Sequence, residues 1–313
     1  MKKTTFNADL WTGRIDHEDG DLGLRIHQII QDYTTFELAS IQPKVLLGFC
    51  SDEGVARNKG RIGAQHSPDL IRKNLANLPI HFSTTDFIFD AGNIECDDKN
   101  LEVAREEQIN QVAAILQANH LPIVIGGGHE TALGNFLALT QSYQNIGIIN
   151  IDAHFDLRKP NLISTSGTPF YEMAQHCEKN QIPFQYIPIG IQELGNTNAL
   201  FERATNLNVR YVMADEVHLD LNNVLDQLKQ SIQPFDAIYV SLDMDVFDLA
   251  YAPGVSAPTI NGLTPFQVKY ILKVLKNSGK LKLMDLVEYN PLYDVDNSTS
   301  KLSAQMIYEV LKD

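Results

Sequence analysis

The stretch at residues 146–156, IGIINIDAHFD, joins a short apolar run to three polar side chains of the kind that bind metals. The run at 146–149 is typical of a strand buried on both faces of a sheet. Asp152, His154 and Asp156 follow at alternate positions, and on extended backbone alternate side chains point to one face. Because buried charges are costly unless paired, this pattern favours a divalent cation. A hydrogen-bonded polar cluster that caps the strand is the alternative.

Strand-like runs and helical patterns alternate on both sides of this stretch. Strands are predicted at 44–49, 87–89, 123–125, 146–151, 185–189, 209–213, 238–242 and 281–287. Helices are predicted to start at Ser67-Pro68-Asp69, with Ser67 as N-cap, and to span 101–118, 133–139, 224–232, 265–276 and 302–311. With no linker in between, the alternation predicts one α/β domain with three αβα layers and a parallel sheet of about eight strands. Residues 1–40 are expected to form an arm packed on this domain, with a helical segment at 22–33.

The composition narrows the classes of function. With 25 basic and 39 acidic residues among 313, the net charge is −14, which argues against nucleic acid or an anionic membrane as partner. Cys50, Cys96 and Cys177 form no C-x-x-C pair, so we expect no disulfide framework and a reducing cytoplasm. No apolar run resembles a signal peptide or approaches the ~20 residues that span a bilayer.

A second strand end carries a histidine. The strand predicted at 123–125 runs into GGGHE at 126–130. The glycine spacing differs from the G-x-G-x-x-G of dinucleotide sites, and no Lys-Ser/Thr follows as in a P-loop. We therefore interpret the glycines as permitting a sharp turn that presents His129 at the edge of the sheet. A lone histidine at such a place also occurs as a capping or core residue.

A third strand end carries two carboxylates, Asp243 and Asp245, with Asp248 a turn further on. Alone, such a pair also suits the acid and base of a glycoside hydrolase. Together with the other two strand ends, the set has too many carboxylates for one tetrahedral zinc and no thiolate. Its composition suits two Mn²⁺ ions about 3.5–4 Å apart. The candidate ligands are His129, Asp152, His154, Asp156, Asp243 and Asp245.

These motifs resemble those of a known family. GGGHE at 126–130, DAHFD at 152–156 and SLDMDVFD at 241–248 are similar, in this order, to the three metal motifs of the ureohydrolase (arginase/agmatinase) family. The resemblance extends from Val45 onward. It includes the segments at 253–264 and at 284–291, the second of which carries the acidic residue that grips the substrate. It implies the arginase-like fold.

The resemblance also implies roles for individual residues. One Mn²⁺ would be held by His129, Asp152, Asp156 and Asp243, and the other by Asp152, His154, Asp243 and Asp245. A hydroxide that bridges the ions would attack the amidine carbon of the substrate. Asp156 would hold this hydroxide and pass its proton to the leaving amine, and Glu288 would pair with the cationic amidine.

Within the family, details favour the branch that hydrolyses N-formimino-L-glutamate to L-glutamate and formamide in histidine degradation. The segments at 11–20, 51–64 and 166–173 resemble that branch. Arginase-like members carry a shuttle histidine in the segment matching 166–170, where this chain has Phe170, and an asparagine where it has Arg158. An arginine there suits an anionic amidine substrate, which we expect Arg158, Ser166 and Glu288 to bind. A surface arginine is the alternative for Arg158, with Arg57 or Arg61 as the next candidates.

Other functions stay open at this stage. One is another amidine or guanidine hydrolase of the family, an agmatinase, arginase or guanidino-acid hydrolase, which a substrate panel would identify. A metal-dependent deacylase of similar architecture needs one ion, so metal stoichiometry would separate it. An inactive metal-binding structural or regulatory protein is the third alternative, and turnover would exclude it. A small-molecule substrate is the expected partner, and the sequence is compatible with a homo-oligomer.

Overall fold

The computed structural model describes residues 2–35, 42–83 and 88–312. These residues form a central sheet flanked by helices, which confirms the predicted α/β class. The strands are β1 Lys2–Thr4, β2 Gln31–Asp32, β3 Lys44–Cys50, β4 Ile88–Glu95, β5 Leu121–Ile125, β6 Ile146–Ile151, β7 Gln185–Ile191, β8 Val212–Met213, β9 Ala237–Asp243 and β10 Leu281–Val287. The α-helices are α1 Glu53–Arg57, α2 Ser67–Ala76, α3 Leu101–Gln117, α4 Thr131–Leu139, α5 Pro169–Asn180, α6 Asn198–Asn206, α7 Ala214–Leu219, α8 Leu221–Ser231, α9 Pro265–Asn277 and α10 Ser298–Leu311.

The described strands form one sheet in the order β1-β4-β3-β5-β10-β9-β6-β7-β8, with β2 beside β4. Among these described strands, only the pairing of β1 with β4 is antiparallel. The four central neighbours β5, β10, β9 and β6 are parallel, so their carboxyl ends meet at one edge of the sheet. In such sheets ligands bind outside the carboxyl ends of the strands.

Both faces of the sheet are covered by apolar side chains. Along β6, Ile146 and Ile148 belong to one buried cluster, whereas Ile149 and Ile151 belong to the other. Successive side chains of a strand point to opposite faces, so a strand covered on both sides needs a continuous apolar run. This is the physical reason that β6 reads as an uninterrupted stretch of apolar residues.

The predicted helix at 22–33 is wrong. The structure has short 3-10 helices at His17–Gly23 and Ile26–Gln28, followed by β2. The backbone of this segment bonds to a distant part of the chain, since Ile26 N donates to Leu78 O and Ile80 N donates to Leu24 O, each at 3.0 Å. Ile26 is fully buried. Tertiary packing therefore overrides a local helical pattern here.

Other boundaries moved by less. The strand predicted at 209–213 is reduced to β8. The N-cap position of α2 is His66, and Ser67 already lies inside the helix. The loop at 51–63 contains α1, and α5, α6 and α7 had no predicted counterpart. Phe87, the first residue of a predicted strand, lies outside the described residues. None of the helices in the described ranges is long and apolar enough to cross a membrane.

Candidate metal centre

The six predicted ligands lie together at the carboxyl edge of the sheet. His129 follows β5, Asp152, His154 and Asp156 follow β6, and Asp243 and Asp245 stand at the end of β9. Glu288 follows β10, which lies between β5 and β9. Four neighbouring parallel strands therefore deliver every predicted metal ligand and the predicted substrate-gripping carboxylate to one place.

The two aspartate motifs converge through turns and not through extended backbone. The strand β6 ends at Ile151, and the Asp152 Oδ1 atom accepts a hydrogen bond from His154 N at 2.7 Å. The Asp243 Oδ1 atom likewise accepts from Asp245 N at 2.8 Å. Our premise that alternate side chains on a strand share a face is wrong for these motifs. Instead, each first aspartate closes a turn with its own backbone two residues on and still presents its second oxygen.

His129 is presented by the glycine loop, as predicted. Gly126 and Gly127 have φ values of 90° and 74°, in a backbone region that residues other than glycine rarely adopt. Gly128 is required for another reason, since a Cβ atom there would lie 2.2 Å from Glu130 Oε2. The His129 backbone N donates to Glu288 Oε1 at 2.8 Å, which joins the loop to the end of β10.

Three carboxylates surround one nitrogen of His129. Nδ1 lies 3.3 Å from Asp152 Oδ2, 3.1 Å from Asp156 Oδ2 and 3.0 Å from Asp243 Oδ2. This nitrogen is buried, yet it makes no well-directed hydrogen bond to any of the described residues. Three anionic oxygens converging on a buried nitrogen are the first coordination shell that a divalent cation requires.

A second cluster shares Asp152 with the first. His154 Nδ1 lies 3.5 Å from Asp152 Oδ1 and 3.1 Å from Asp245 Oδ2. The Asp245 Oδ1 atom is also buried and has no hydrogen-bond partner among the described residues. Two groups able to hold an ion thus form, His129-Asp152-Asp156 and Asp152-His154-Asp245, with Asp152 common to both. The residues present fit a pair of ions with oxygen and imidazole ligands.

A serine and an aspartate that we did not predict orient the His129 ring. The Ser241 hydroxyl donates to Asp285 Oδ1 at 2.6 Å, so its oxygen is left to accept from His129 Nε2 at 3.0 Å. In the neutral ring the proton therefore sits on Nε2, and the lone pair of Nδ1 faces the carboxylates. Such outer partners fix the tautomer of metal-binding histidines. Asp285 is held in turn by Asn135 Nδ2 and by the Tyr239 hydroxyl.

The crowded charges shift the pKa values of the site. Burial lowers the pKa of His129, but the carboxylates of Asp152, Asp156 and Asp243 that face Nδ1 outweigh it and hold the pKa well above its usual range. Burial, followed by the charge of Asp245, raises the pKa of Asp243. Burial and the nearby charge of Glu130 raise the pKa of Glu288 to about 8. Carboxylates this close stay ionised together only with positive charge between them, which bound metal would supply.

A cavity of about 150 Å³ opens above the clusters. It brings the predicted substrate residues Arg158, Ser166 and Glu288 together with the ligands. Its remaining lining includes residues that we did not predict: Asn58, Gly195, Asn196, Leu200, Ser256 and Ala257. Among these, Asn196 holds the loop after β6, since its Oδ1 accepts from Phe155 N at 3.0 Å and its Nδ2 donates to Ala153 O at 2.9 Å. Asparagines and serines in loops carry no local pattern that marks them in one sequence.

Both residues predicted to be catalytic have left-handed backbone. Asp156 has φ 43° and Glu288 has φ 65°. A non-glycine residue in this region costs roughly 1–3 kcal/mol and persists where its surroundings over-determine it, often at functional sites. Ten other non-glycine residues of the described chain share this backbone region, so the strain accompanies these two positions but does not single them out.

The arginines differ in their surroundings. Arg158 is exposed, lines the cavity and forms no ion pair with a described carboxylate. Arg57 is paired with Glu53 at 3.0 Å and with Glu102 at 2.6 Å. The Arg61 guanidinium donates to Ser256 O at 2.9 Å and lies over the Tyr293 ring. Of the three arginines, Arg158 alone has its charge available to a ligand in the cavity.

Phe170, which replaces the shuttle histidine, is fully buried at the start of α5. Its ring stacks on Tyr186 at 4.5 Å between centroids and meets His129 edge-on at 5.2 Å. It packs behind the predicted metal ligand His129 and contributes no group that could carry a proton.

The chain resembles known proteins along most of its length. The Arginase family profile matches residues 42–312. A formimidoylglutamase of Vibrio parahaemolyticus is 41% identical over 317 residues, which cover 96% of this chain and 92% of that protein. The solved formimidoylglutamase of Bacillus subtilis has a TM-score of 0.82 at 23% identity and covers 94% of this chain and 92% of its own. A Trypanosoma cruzi formiminoglutamase solved with Mn²⁺ has a TM-score of 0.80 at 24% identity, covering 88% and 95%. At these identities the two solved structures establish the fold alone.

Proposed function

The chain belongs to the arginase family and is a hydrolase of amidine C–N bonds, and we propose that it converts N-formimino-L-glutamate and water to L-glutamate and formamide at a centre of two Mn²⁺ ions. The proposal assigns the reaction to histidine degradation in the cytoplasm. One observation carries the choice of substrate. The cavity above the two ligand clusters is lined by a carboxylate, Glu288, and by a cation without an ion-pair partner among the described residues, Arg158. A substrate with a cationic amidine and anionic carboxylates matches both.

The two ligand clusters support the metal part of the proposal. One ion would be held by His129, Asp152, Asp156 and Asp243. The other ion would be held by Asp152, His154, Asp243 and Asp245. Two divalent ions supply Lewis acidity and lower the pKa of bound water. Asp152 sends its two carboxylate oxygens to different histidines, which is the arrangement of a ligand shared between two ions.

Glu288 and Asp156 would act on the amidine. The cationic amidinium would lower the pKa of Glu288 and pair with its carboxylate. This pairing would fix the angle at which the amidine carbon faces the water. Asp156 is within reach of His129 Nδ1 at 3.1 Å and lines the cavity. It would accept a proton from the attacking water and deliver it to the glutamate nitrogen as the C–N bond breaks.

Arg158 and Ser166 would bind the carboxylates of the substrate. The planar guanidinium of arginine engages a carboxylate through two parallel hydrogen bonds, which a lysine cannot reproduce. The Arg158 backbone N donates to Gly167 O at 2.9 Å, and its side chain lies against Gly167, so the arginine and Ser166 are close neighbours.

A substrate panel tests the proposal. Protein loaded with Mn²⁺ is assayed on N-formimino-L-glutamate, arginine and agmatine, for the wild type and for Arg158→Ala and Arg158→Lys. Loss of charge-assisted hydrogen bonds worth about 1.5–3 kcal/mol lowers kcat/KM roughly ten- to a hundredfold or more in Arg158→Ala. The kcat/KM of Arg158→Lys should lie between those of the wild type and Arg158→Ala. Arg210→Ala, an exposed arginine that does not line the cavity, is the matched control.

The outcomes separate the parts of the proposal. A wild type that prefers arginine or agmatine would overturn the substrate assignment. A preference for N-formimino-L-glutamate with an indifferent Arg158→Ala would keep the reaction and remove Arg158 from it.

A further inference from the structure

We infer that Glu130 is a positioning residue for the side of the cavity formed by Asn58, Arg158 and Ser166, here named the carboxylate wall. The inference rests on the proposed function, because it assumes that this wall receives the carboxylates of the substrate. Glu130 is 1% exposed and does not line the cavity, so it would act through other residues.

Glu130 holds the loop that follows β3. Its Oε1 atom accepts one hydrogen bond from the Ser51 hydroxyl and a second from Gly54 N, each at 2.9 Å. Gly54 belongs to α1, and Asn58 caps the end of this helix. The residue next to a predicted metal ligand therefore anchors the short helix that carries one member of the carboxylate wall.

The same loop then holds the other two members. Gly54 O accepts from Ser166 N at 3.0 Å, and Asn58 Nδ2 donates to Ser166 Oγ at 3.3 Å. Ser166 is followed by Gly167, whose carbonyl accepts from Arg158 N at 2.9 Å. Hydrogen bonds thus run from Glu130 through α1 to the segment that carries Ser166 and Arg158.

Packing leaves the Glu130 side chain little freedom. A Cβ atom added at Gly54 would lie 2.5 Å from Glu130 Oε2, and one added at Gly128 would lie 2.2 Å from the same oxygen. Two glycines on different segments therefore enclose the carboxyl group. Side chains at either position would displace it, so the absence of side chains there serves the placement of Glu130.

A competing role is that Glu130 merely supports its neighbour His129. The two roles predict different kinetics. Loss of the carboxylate wall weakens substrate binding, which raises KM and leaves metal content and kcat near wild type. Loss of support for His129 lowers metal content and kcat and leaves KM unchanged.

The experiment measures metal content, kcat and KM for N-formimino-L-glutamate in Mn²⁺-loaded protein. Glu130→Ala should raise KM about tenfold, the size expected when one or two hydrogen-bonded anchors of a binding residue are lost. Glu130→Gln keeps an oxygen that can accept from Ser51 and Gly54, so it should restore most of the affinity. Gly54→Ala, which pushes on the carboxyl group from the other side, should raise KM even if Glu130→Ala does not fold.

Controls separate this inference from the proposed function. Glu309→Ala removes a glutamate of α10 that pairs with Lys269 and Lys312 and does not line the cavity, so it should leave KM unchanged. The double variant of Glu130→Ala and Arg158→Ala should lose less binding free energy, calculated from KM, than the two single variants lose in total, because both residues act on one wall. A wild type that is inactive on N-formimino-L-glutamate would refute the proposed function. An active wild type with unchanged KM in Glu130→Ala and Gly54→Ala, or with loss of metal and kcat alone, would overturn the role of Glu130.

Discussion

Replacing Ser241 with alanine should weaken metal binding, although none of the predicted metal ligands is replaced. Ser241 on β9 pairs in register with Asp285 on β10, and its hydroxyl connects this aspartate to His129 Nε2. In Ser241→Ala the ring loses the partner that sets its tautomer and orientation. Nδ1 then no longer offers a fixed lone pair to an ion placed among Asp152, Asp156 and Asp243.

The magnitude follows from what is lost and what stays. Removal of an outer partner of a metal-binding histidine typically costs 10–100-fold in metal affinity, or about 1.4–2.7 kcal/mol. The fold should survive, since Asp285 keeps its hydrogen bonds from Asn135 and Tyr239. The free energy of unfolding should fall by about 2 kcal/mol for the two lost hydrogen bonds, and by about 1–3 kcal/mol more for the buried His129 Nε2–H that is left without a partner.

The assay titrates metal-free protein with Mn²⁺ and follows free Mn²⁺ by electron paramagnetic resonance, with recovered activity as the second readout. Ser303→Ala is the matched control, because Ser303 is equally buried but bonds to Thr299 O within α10, away from the site. Equal Mn²⁺ affinity in Ser241→Ala and the wild type would refute the idea that Asp285 orients the His129 ring through Ser241.

Three further predictions concern the site itself. Wild type saturated with Mn²⁺ should approach two ions per chain by elemental analysis, and Asp243→Ala should abolish turnover; full activity in that variant would remove Asp243 from the shared ligands. Glu288→Gln keeps an oxygen for His129 N, so metal content should stay at the wild-type level. The fall in kcat/KM should correspond to about 1.5–3 kcal/mol of activation free energy. An unchanged rate would make Glu288 a structural residue. Phe170→Ala should lower the free energy of unfolding by roughly 3–5 kcal/mol, as expected for a fully buried ring, and leave the pH–rate profile unchanged. Loss of an ionisation near neutrality would contradict that last prediction.

The strand content of this protein could be predicted from the sequence, because strands buried on both faces need continuous apolar runs. The bounds of β6 and β10 agree with the predicted strands at 146–151 and 281–287. The N-terminal segment could not be predicted in this way. Its backbone bonds to residues 78–80, and no local pattern records a partner so far along the chain.

The metal-ligand candidates could also be found from the sequence, because histidines and carboxylates cluster within a few residues of strand ends. Their roles stay predictions, and the backbone that brings them together differs from the one expected. Turns closed by Asp152 and Asp243 aim these side chains, whereas we expected extended strands.

The order of the strands was decided only by the tertiary structure. In the chain β10 comes after β5, β6 and β9, but in the sheet β10 lies between β5 and β9. That order places Ser241 and Asp285 behind His129 and places Glu288 against its backbone. Parallel strands are joined by crossovers, so neighbours in the sheet need not be neighbours in the chain. Local patterns of residues therefore determine which segments become strands and which side chains stand at their ends, whereas packing determines which of those ends meet.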